Sequence, residues 1–191
     1  MKNPKRFKRF KRKRKPNQDN WFSCTKGHFG DEGFYGLYPL SVRDAFLCDF
    51  KQFDAWVILD SLGLNAVKIL DTREFPVLFV NIRDGDAPTK EEVDRIIDFA
   101  ENYDKVLISC IGAHGRTGTI LAIWIHLKDP TQEDPILRVK RVYCKKAVET
   151  MKQAEFIYKY LGLKPNKEVL KDFQIRRFNL WNSWNSWDRS W

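Results

Sequence analysis

The 191-residue chain has no run of 18 or more apolar residues, and only four cysteines and three histidines. The first absence argues against a transmembrane helix. The first fifteen residues also lack the apolar core and small-residue cleavage site of a secretory signal. Cys24, Cys48, Cys110 and Cys144 are widely separated, with no CxxC pair among them. That spacing disfavours a zinc site and a disulfide framework, so no metal or cofactor is implied. Reduced thiols in an intracellular chain, cytoplasmic or nuclear, are expected, with three of the four serving as packing residues. The chain also lacks GxxxxGK[ST] and GxGxxG at its glycine-rich turn, which excludes nucleotide and dinucleotide loops of those types there.

Acidic residues are missing from one place in particular. Residues 1–15 hold ten of the 34 Lys and Arg and no Asp or Glu, leaving 24 basic against 25 acidic residues elsewhere. The net charge of +9 therefore belongs to an arm and not to the body. Residues 1–18, self-repelling and with only Phe7 and Phe10 to bury, are expected to be disordered. Residues 19–165 are expected to form one domain, followed by a Trp-rich extension over 166–191. The apolar fraction of 43% is ample for a single core. Trp181, Trp184, Trp187 and Trp191 would share one side of a helix if the extension were helical. They suit either docking on the domain's own core or a partner or membrane surface.

Within the body, Phe34–Tyr38 suggests turns and short strands. Ala55–Leu59 with Leu62 suits a helix closed by Gly63. Ala66–Leu70 and Val77–Ile82 suggest buried strands. Thr89 to Tyr103 is expected to be helical, because Thr89 and Glu92 have capping-box spacing and Val93, Ile96, Ile97 and Ala100 share a face. Val106–Ile108 reads as an interior strand. Helices are expected over Ile120–Leu127, Ile136–Tyr143 and Glu149–Leu161. Alternating strands and helices predict an α/β fold, with a mostly parallel sheet flanked by helices on both faces.

The informative segment is Ser109-Cys110-Ile111-Gly112-Ala113-His114-Gly115-Arg116-Thr117-Gly118-Thr119, between a buried strand and an apolar helix. A loop so placed wraps an anion, because backbone N–H groups converge on it and the helix offers its positive end. Gly112, Gly115 and Gly118 allow close approach and positive φ. A cysteine in that cradle is stabilised as thiolate. Arg116, six residues on, can fold back to hold two phosphate oxygens with its planar fork. Nucleophile, amide donors and fixed charge are the parts that in-line attack on phosphorus requires.

The segment Cys110-Ile-Gly-Ala-His-Gly-Arg116-Thr117-Gly118-Thr119 resembles the Cys-x5-Arg protein tyrosine phosphatase superfamily, in particular its small dual-specificity and archaeal-type members. Leu62–Leu70, Ile82–Pro88 and Val148-Glu149-Thr150-x-x-Gln153-x-x-Phe156 look like further family segments, so the resemblance covers residues 35–163. It implies that Cys110 is the nucleophile, that Arg116 clamps phosphate, and that backbone amides over Ile111, Gly112, Ala113, His114 and Gly115 bind it. Asp84 would be the general acid, with Asp86 as alternative. Thr117 would donate to the Cys110 sulfur. Gln153 would position water, unless it is simply a solvent-facing helix residue. The His114 side chain is expected to be exposed. Two departures stand out. Ser109 replaces the usual histidine before the cysteine. Gly112-Ala113 reverses the usual Ala-Gly order, placing a Cβ where positive φ would strain the loop.

The leading expectation is a protein phosphatase acting on phosphotyrosine, and on phosphoserine or phosphothreonine if its cleft is shallow. An RNA 5′-phosphatase or triphosphatase of the same fold would use the basic arm to hold a polyanion, implying a nucleic-acid partner. A non-catalytic phosphate- or nucleic-acid-binding protein is the third reading.

Overall fold

The computed structural model describes residues 33–45, 52–61 and 75–175. The basic arm, the four C-terminal tryptophans, Cys24, Cys48 and the strand expected over Ala66–Leu70 lie outside these residues. Four strands are present among them: β1 (Leu37–Ser41), β2 (Ala55–Ile58), β3 (Val77–Phe79) and β4 (Val106–Cys110). They pair in the order β1-β4-β2-β3, every pair parallel. Parallel neighbours require crossovers, and cover on both sides explains why β2 and β4 are buried throughout and, Ser109 apart, apolar.

One residue run departs from expectation. Ala55–Ile58, expected to be helical, is an interior strand held between β3 and β4. Five consecutive apolar residues carry no period, and pairing on both edges decides the conformation. Alternation then separates the side chains: Ala55, Val57 and Leu59 join one core, Trp56 and Ile58 the other.

The larger core lies between the sheet and the helices α2 (Lys90–Ala100), α3 (Gly115–Lys128), α4 (Pro135–Val142) and α5 (Met151–Leu161). The expected capping box at α2 is present: the Thr89 side chain accepts the Glu92 N–H, and the Glu92 carboxylate accepts the Thr89 N–H. Val93, Ile96 and Ala100 are the buried face of that helix. A further helix, α6 (167–175), falls within the stretch assigned by sequence to the extension; its Val169 and Phe173 are buried in the same core. The opposite face of the sheet packs Leu40, Trp56, Ile58 and Leu107 with Ala45 of the short α1 (Val42–Ala45) and partly buried Phe53 and Phe75. Among the described residues, no helix is long and apolar enough to cross a membrane.

The site follows from this topology. An inner strand of the parallel sheet, β4, ends at Cys110, and α3 begins five residues later. In open parallel sheets ligands bind at that end of the strands.

Candidate active site

Cys110 is the last residue of β4 and is 2% exposed. The preceding Ser109 points to the other face of the sheet, where its hydroxyl accepts the indole N–H of Trp56 at 2.8 Å. The position usually held by histidine thus ties the end of β4 to β2. Sequence reasoning had no signal for this Trp56 contact, which spans 53 residues.

Residues 111–114 form the loop, and α3 starts at Gly115. None of Gly112, Gly115 and Gly118 has positive φ; within the loop the left-handed conformation falls on Ala113, at φ 54°. The strain expected of that alanine is present. An L-residue there costs about 1–2 kcal/mol relative to right-handed backbone. The Tyr143 hydroxyl donates to the Ala113 carbonyl, and the Ala113 N–H reaches the Cys110 carbonyl at 3.3 Å. Tyr143 thus tethers the strained peptide from outside the loop. Replacing Tyr143 by Phe is expected to cost about 1 kcal/mol of stability, the usual net worth of such a bond. In an Ala113→Gly background, where the turn needs no tether, the loss is expected to shrink by at least about 0.5 kcal/mol. Urea denaturation of the two single variants and the double variant measures this coupling; strict additivity would contradict it.

Arg116, in the first turn of α3, is 3% exposed although charged. Its Nη1 donates to the Ile82 carbonyl at 3.0 Å, and its Nη2 lies 2.9 Å from the Asp84 carboxylate. The fork therefore reaches the 82–86 segment and holds Asp84, whose side chain is 78% exposed, beside the first turn of α3. Asp86 points elsewhere. Its carboxylate pairs with Lys152 at 2.7 Å, and that partner first, with help from Arg83, holds it below the usual carboxylate range.

The 82–86 segment is braced by the start of α5. Gly85, at φ 75°, turns its carbonyl to the Thr150 hydroxyl at 2.9 Å. Gln153 is fully buried, which rules out the solvent-facing alternative. Its Oε1 accepts the N–H groups of Glu149 and Thr150, while its Nε2 donates to the Asp86 carbonyl at 3.2 Å. Together Thr150 and Gln153 form the N-terminal capping box of α5.

Thr117 is fully buried, and among the described residues its hydroxyl has no hydrogen-bond partner, the Cys110 sulfur included. The expected exposure of His114 is corrected: it is 3% exposed, at the N-cap of α3, with Nδ1 3.9 Å from a carboxylate oxygen of Glu149. Its burial follows from the segment 147–149, which presses onto the first turn of α3. The Val148 N–H donates to the His114 carbonyl at 3.3 Å. A Cβ on Gly118 would lie 2.9 Å from that same Val148 nitrogen, so glycine is required there for close approach.

Glu149 is the site residue that spacing did not reveal. Placed by sequence in the first turn of a helix, it sits one residue before the Thr150 cap. Its carboxylate lies against the start of α3, where a Cβ on Gly115 would collide with its Oε2. Surrounding protein first, then the Asp84 carboxylate, pushes its proton affinity up. Arg116, the Gly115 N–H and Lys146 pull the other way without cancelling the rise.

Set against known proteins, residues 51–128 match the family described as "Polymorphic toxin system, DSP-PTPase phosphatase". Two uncharacterized proteins of Methanocaldococcus jannaschii are similar over most of their length. MJECL20 is 40% identical over 140 residues, 70% of this chain and 94% of that protein. MJ0215 is 38% identical over 143 residues, 72% of this chain and 89% of that one. The crystal structure of the active form of Tk-PTP superposes with a TM-score of 0.55 at 27% identity, covering 65% of this chain and 88% of that one. The chain belongs to the dual-specificity-like protein tyrosine phosphatase superfamily. DUSP15 shares the fold, with a TM-score of 0.53 at 15% identity over 74% of this chain and 92% of that one. As a member of this superfamily the chain is an α/β phosphatase, in which β4, the 111–114 loop and α3 form the region resembling the family's Cys-x5-Arg signature.

Proposed function

We propose that this superfamily member hydrolyses phosphoric monoesters on proteins, phosphotyrosine included, through a phosphate bonded to the Cys110 sulfur. The observation that carries this reading is the pairing of Asp84, from a segment 26 residues before Cys110, with the arginine that follows the loop. Cys110 closes β4, Arg116 opens α3 behind it, and the Arg116 guanidinium holds Asp84 at 2.9 Å beside that helix start.

The chemistry follows from the parts. A phosphate dianion settles among the loop amides of residues 111–115 and the Arg116 fork, displacing Asp84 from the guanidinium. The Cys110 thiolate attacks phosphorus opposite the ester oxygen; an S–P bond forms as the P–O bond breaks. Asp84 supplies the proton that the leaving oxygen takes. Water then attacks phosphorus and gives a proton to the carboxylate. The S–P bond breaks, and the buried Thr117 hydroxyl, otherwise unpartnered, is close in sequence to receive the returning sulfur charge as a hydrogen-bond donor. Gln153, with its amide engaged by backbone groups, braces the acid-bearing segment.

The test is direct. Full-length protein is expected to release phosphate from para-nitrophenyl phosphate and from tyrosine-phosphorylated peptides, with acid quenching during turnover trapping phosphate on Cys110. No release from either substrate rejects the reading. Release from triphosphate RNA alone, falling steeply with salt, would transfer the chemistry to a nucleic-acid substrate.

A further inference from the structure

We propose that a groove at the far end of the sheet from Cys110 seats the chain's own basic arm, through the Lys-Arg-Phe repeat of residues 5–10. The groove lies outside the machinery that the phosphatase reading uses. Its occupancy is independent of whether Cys110 turns over a phosphate ester.

The groove has a volume of about 510 Å³, the size of clefts that hold a ligand. Its walls include Tyr35, Tyr103 and Trp124, and its charged groups are Glu101, Asp104 and Lys128. These come from the turn before β1, the end of α2, the turn before β4 and the last turn of α3. The helix α3 thus carries the anion loop at one end and the groove at the other. Its 14 residues separate the two by about 20 Å.

Two left-handed residues shape one wall. Tyr35 holds φ 51° and Gly36 φ 84°. A Cβ on Gly36 would lie 2.7 Å from the Asp104 carbonyl, so this wall closes tightly on the turn before β4. The Tyr35 ring is half exposed, and its hydroxyl donates to Asp129 at 3.1 Å, which fixes the ring in place. A tyrosine at positive φ is uncommon, and such residues gather at functional sites.

The electrostatics favour a cation. A helix C-terminus carries partial negative charge, and the C-terminal ends of α2 and α3 both border the groove. The last turn of α2 has no basic residue, and its C-cap is itself an acid, Glu101. Asp104 follows in the next turn, and Asp54 accepts the N–H of Lys105 beside it. Asp129 is taken up by Arg138. Among the described residues Lys128 answers Glu101: its Nζ lies 2.6 Å from that carboxylate and 4.5 Å from the centre of the Trp124 ring. That lysine shows what the groove accepts, an amine held between a carboxylate and an aromatic face. Asp104, Tyr35 and Tyr103 offer the same combination a second time.

The matching occupant is in the chain itself. Residues 5–10 read Lys-Arg-Phe-Lys-Arg-Phe, and residues 1–15 hold no acid. Phe7 and Phe10 bring rings for the tyrosine and tryptophan walls, while the Lys and Arg around them bring charge for Glu101 and Asp104. Position favours the same occupant. The described chain begins at Gly33, two residues before Tyr35, so the polypeptide enters the body at the groove's own wall. The 22 residues between Phe10 and Gly33 can span up to roughly 75 Å, so reach sets no limit. Tethering gives an effective concentration on the order of millimolar, at which a contact of modest affinity is largely occupied. A basic segment of another protein would need that affinity unaided.

The test uses the full-length chain. A carbodiimide joins a lysine amine to a carboxylate only when the two touch, and mass spectrometry of the digested monomer identifies the joined residues. Links from Lys5, Lys8 or Lys11 are expected to concentrate on Glu101 and Asp104. They should fall by about fivefold or more in the double variant Phe7→Ala/Phe10→Ala, and again in about 1 M salt. A second measurement needs no cross-linker. Trypsin cuts the arm only while it is off the groove, so Glu101→Gln/Asp104→Asn is expected to speed cleavage within residues 5–14 by about threefold or more. Both changes keep shape and polarity at exposed positions, so the fold is expected to persist. Links spread over all exposed acids in proportion to their exposure, or cleavage unchanged in the carboxylate variant, would overturn the proposal. In a mixture of isotopically labelled and unlabelled chains, links within one copy support it. Links only between labelled and unlabelled copies would sink it, because the groove would then receive another molecule's arm.

Discussion

Replacing Cys110 by Ser is expected to lower phosphate release by about 10⁴-fold or more while leaving the protein folded and able to bind phosphate. The change exchanges one buried sulfur for oxygen at the end of β4, where backbone pairing to Ser41 continues regardless of the side chain. Stability should shift little. A serine hydroxyl stays protonated at neutral pH, and no base stands ready to take its proton: the His114 ring faces Glu149, and Asp84 faces Arg116. Loss of a nucleophile has cost about 10⁶-fold in other enzymes of covalent mechanism, so 10⁴ is a conservative threshold. The measurement is kcat on para-nitrophenyl phosphate beside the affinity for a non-hydrolysed phosphotyrosine peptide. Near-normal binding with absent turnover places sulfur on the reacting path. A variant retaining a tenth of the wild-type rate would remove Cys110 from the chemistry.

The strand-loop-helix unit from Val106 to Leu127 was legible because its signals are local. An apolar strand, a cysteine, a glycine-rich turn and an apolar helix follow one another within two dozen residues. The capping box at Thr89 was legible for the same reason, since both partners lie within one turn. Even the left-handed strain at Ala113 followed from a reversed residue pair. What the sequence hid depends on long-range pairing. The run Ala55–Ile58 has no period of its own and becomes strand only between β3 and β4. His114 is buried because residues 147–149 fold back onto α3, more than thirty positions later. Glu149 escaped notice because a helix expected to start at that residue makes an acid there ordinary, a favourable partner of the helix dipole. The capping box at Thr150 and Gln153 could have revealed it, by setting the helix start one residue later and leaving Glu149 outside.

Arg116→Lys, although it preserves charge, is expected to reduce kcat/KM by about 10³-fold, and the reason lies in how the guanidinium is shared. One Arg116 nitrogen holds the Ile82 carbonyl while the other is offered to Asp84, so the fork joins the acid-bearing segment to the helix start before substrate arrives. In the proposed reaction an incoming phosphate would exchange with Asp84 on the outer nitrogen, while the inner one keeps its bond to the Ile82 carbonyl. Lysine has a single terminal nitrogen on a more flexible stem, and cannot hold the Ile82 carbonyl and two phosphate oxygens in one plane. Removing a comparable transition-state donor costs about 10²–10³-fold. The additional loss of the Ile82 bond moves the expectation to the upper end, about 4 kcal/mol of transition-state stabilisation. The pattern should differ from that of Cys110→Ser: inhibition by inorganic phosphate weakens together with kcat, because clamp and catalyst are the same group. Asp84→Asn gives the complementary control. It frees the guanidinium of its carboxylate, so phosphate inhibition should hold or tighten even as kcat on phenyl phosphate falls. If Arg116→Lys instead left phosphate inhibition unchanged, the ion pair with Asp84 would be a structural link alone, and the anion site would have to be formed by the loop amides without the guanidinium.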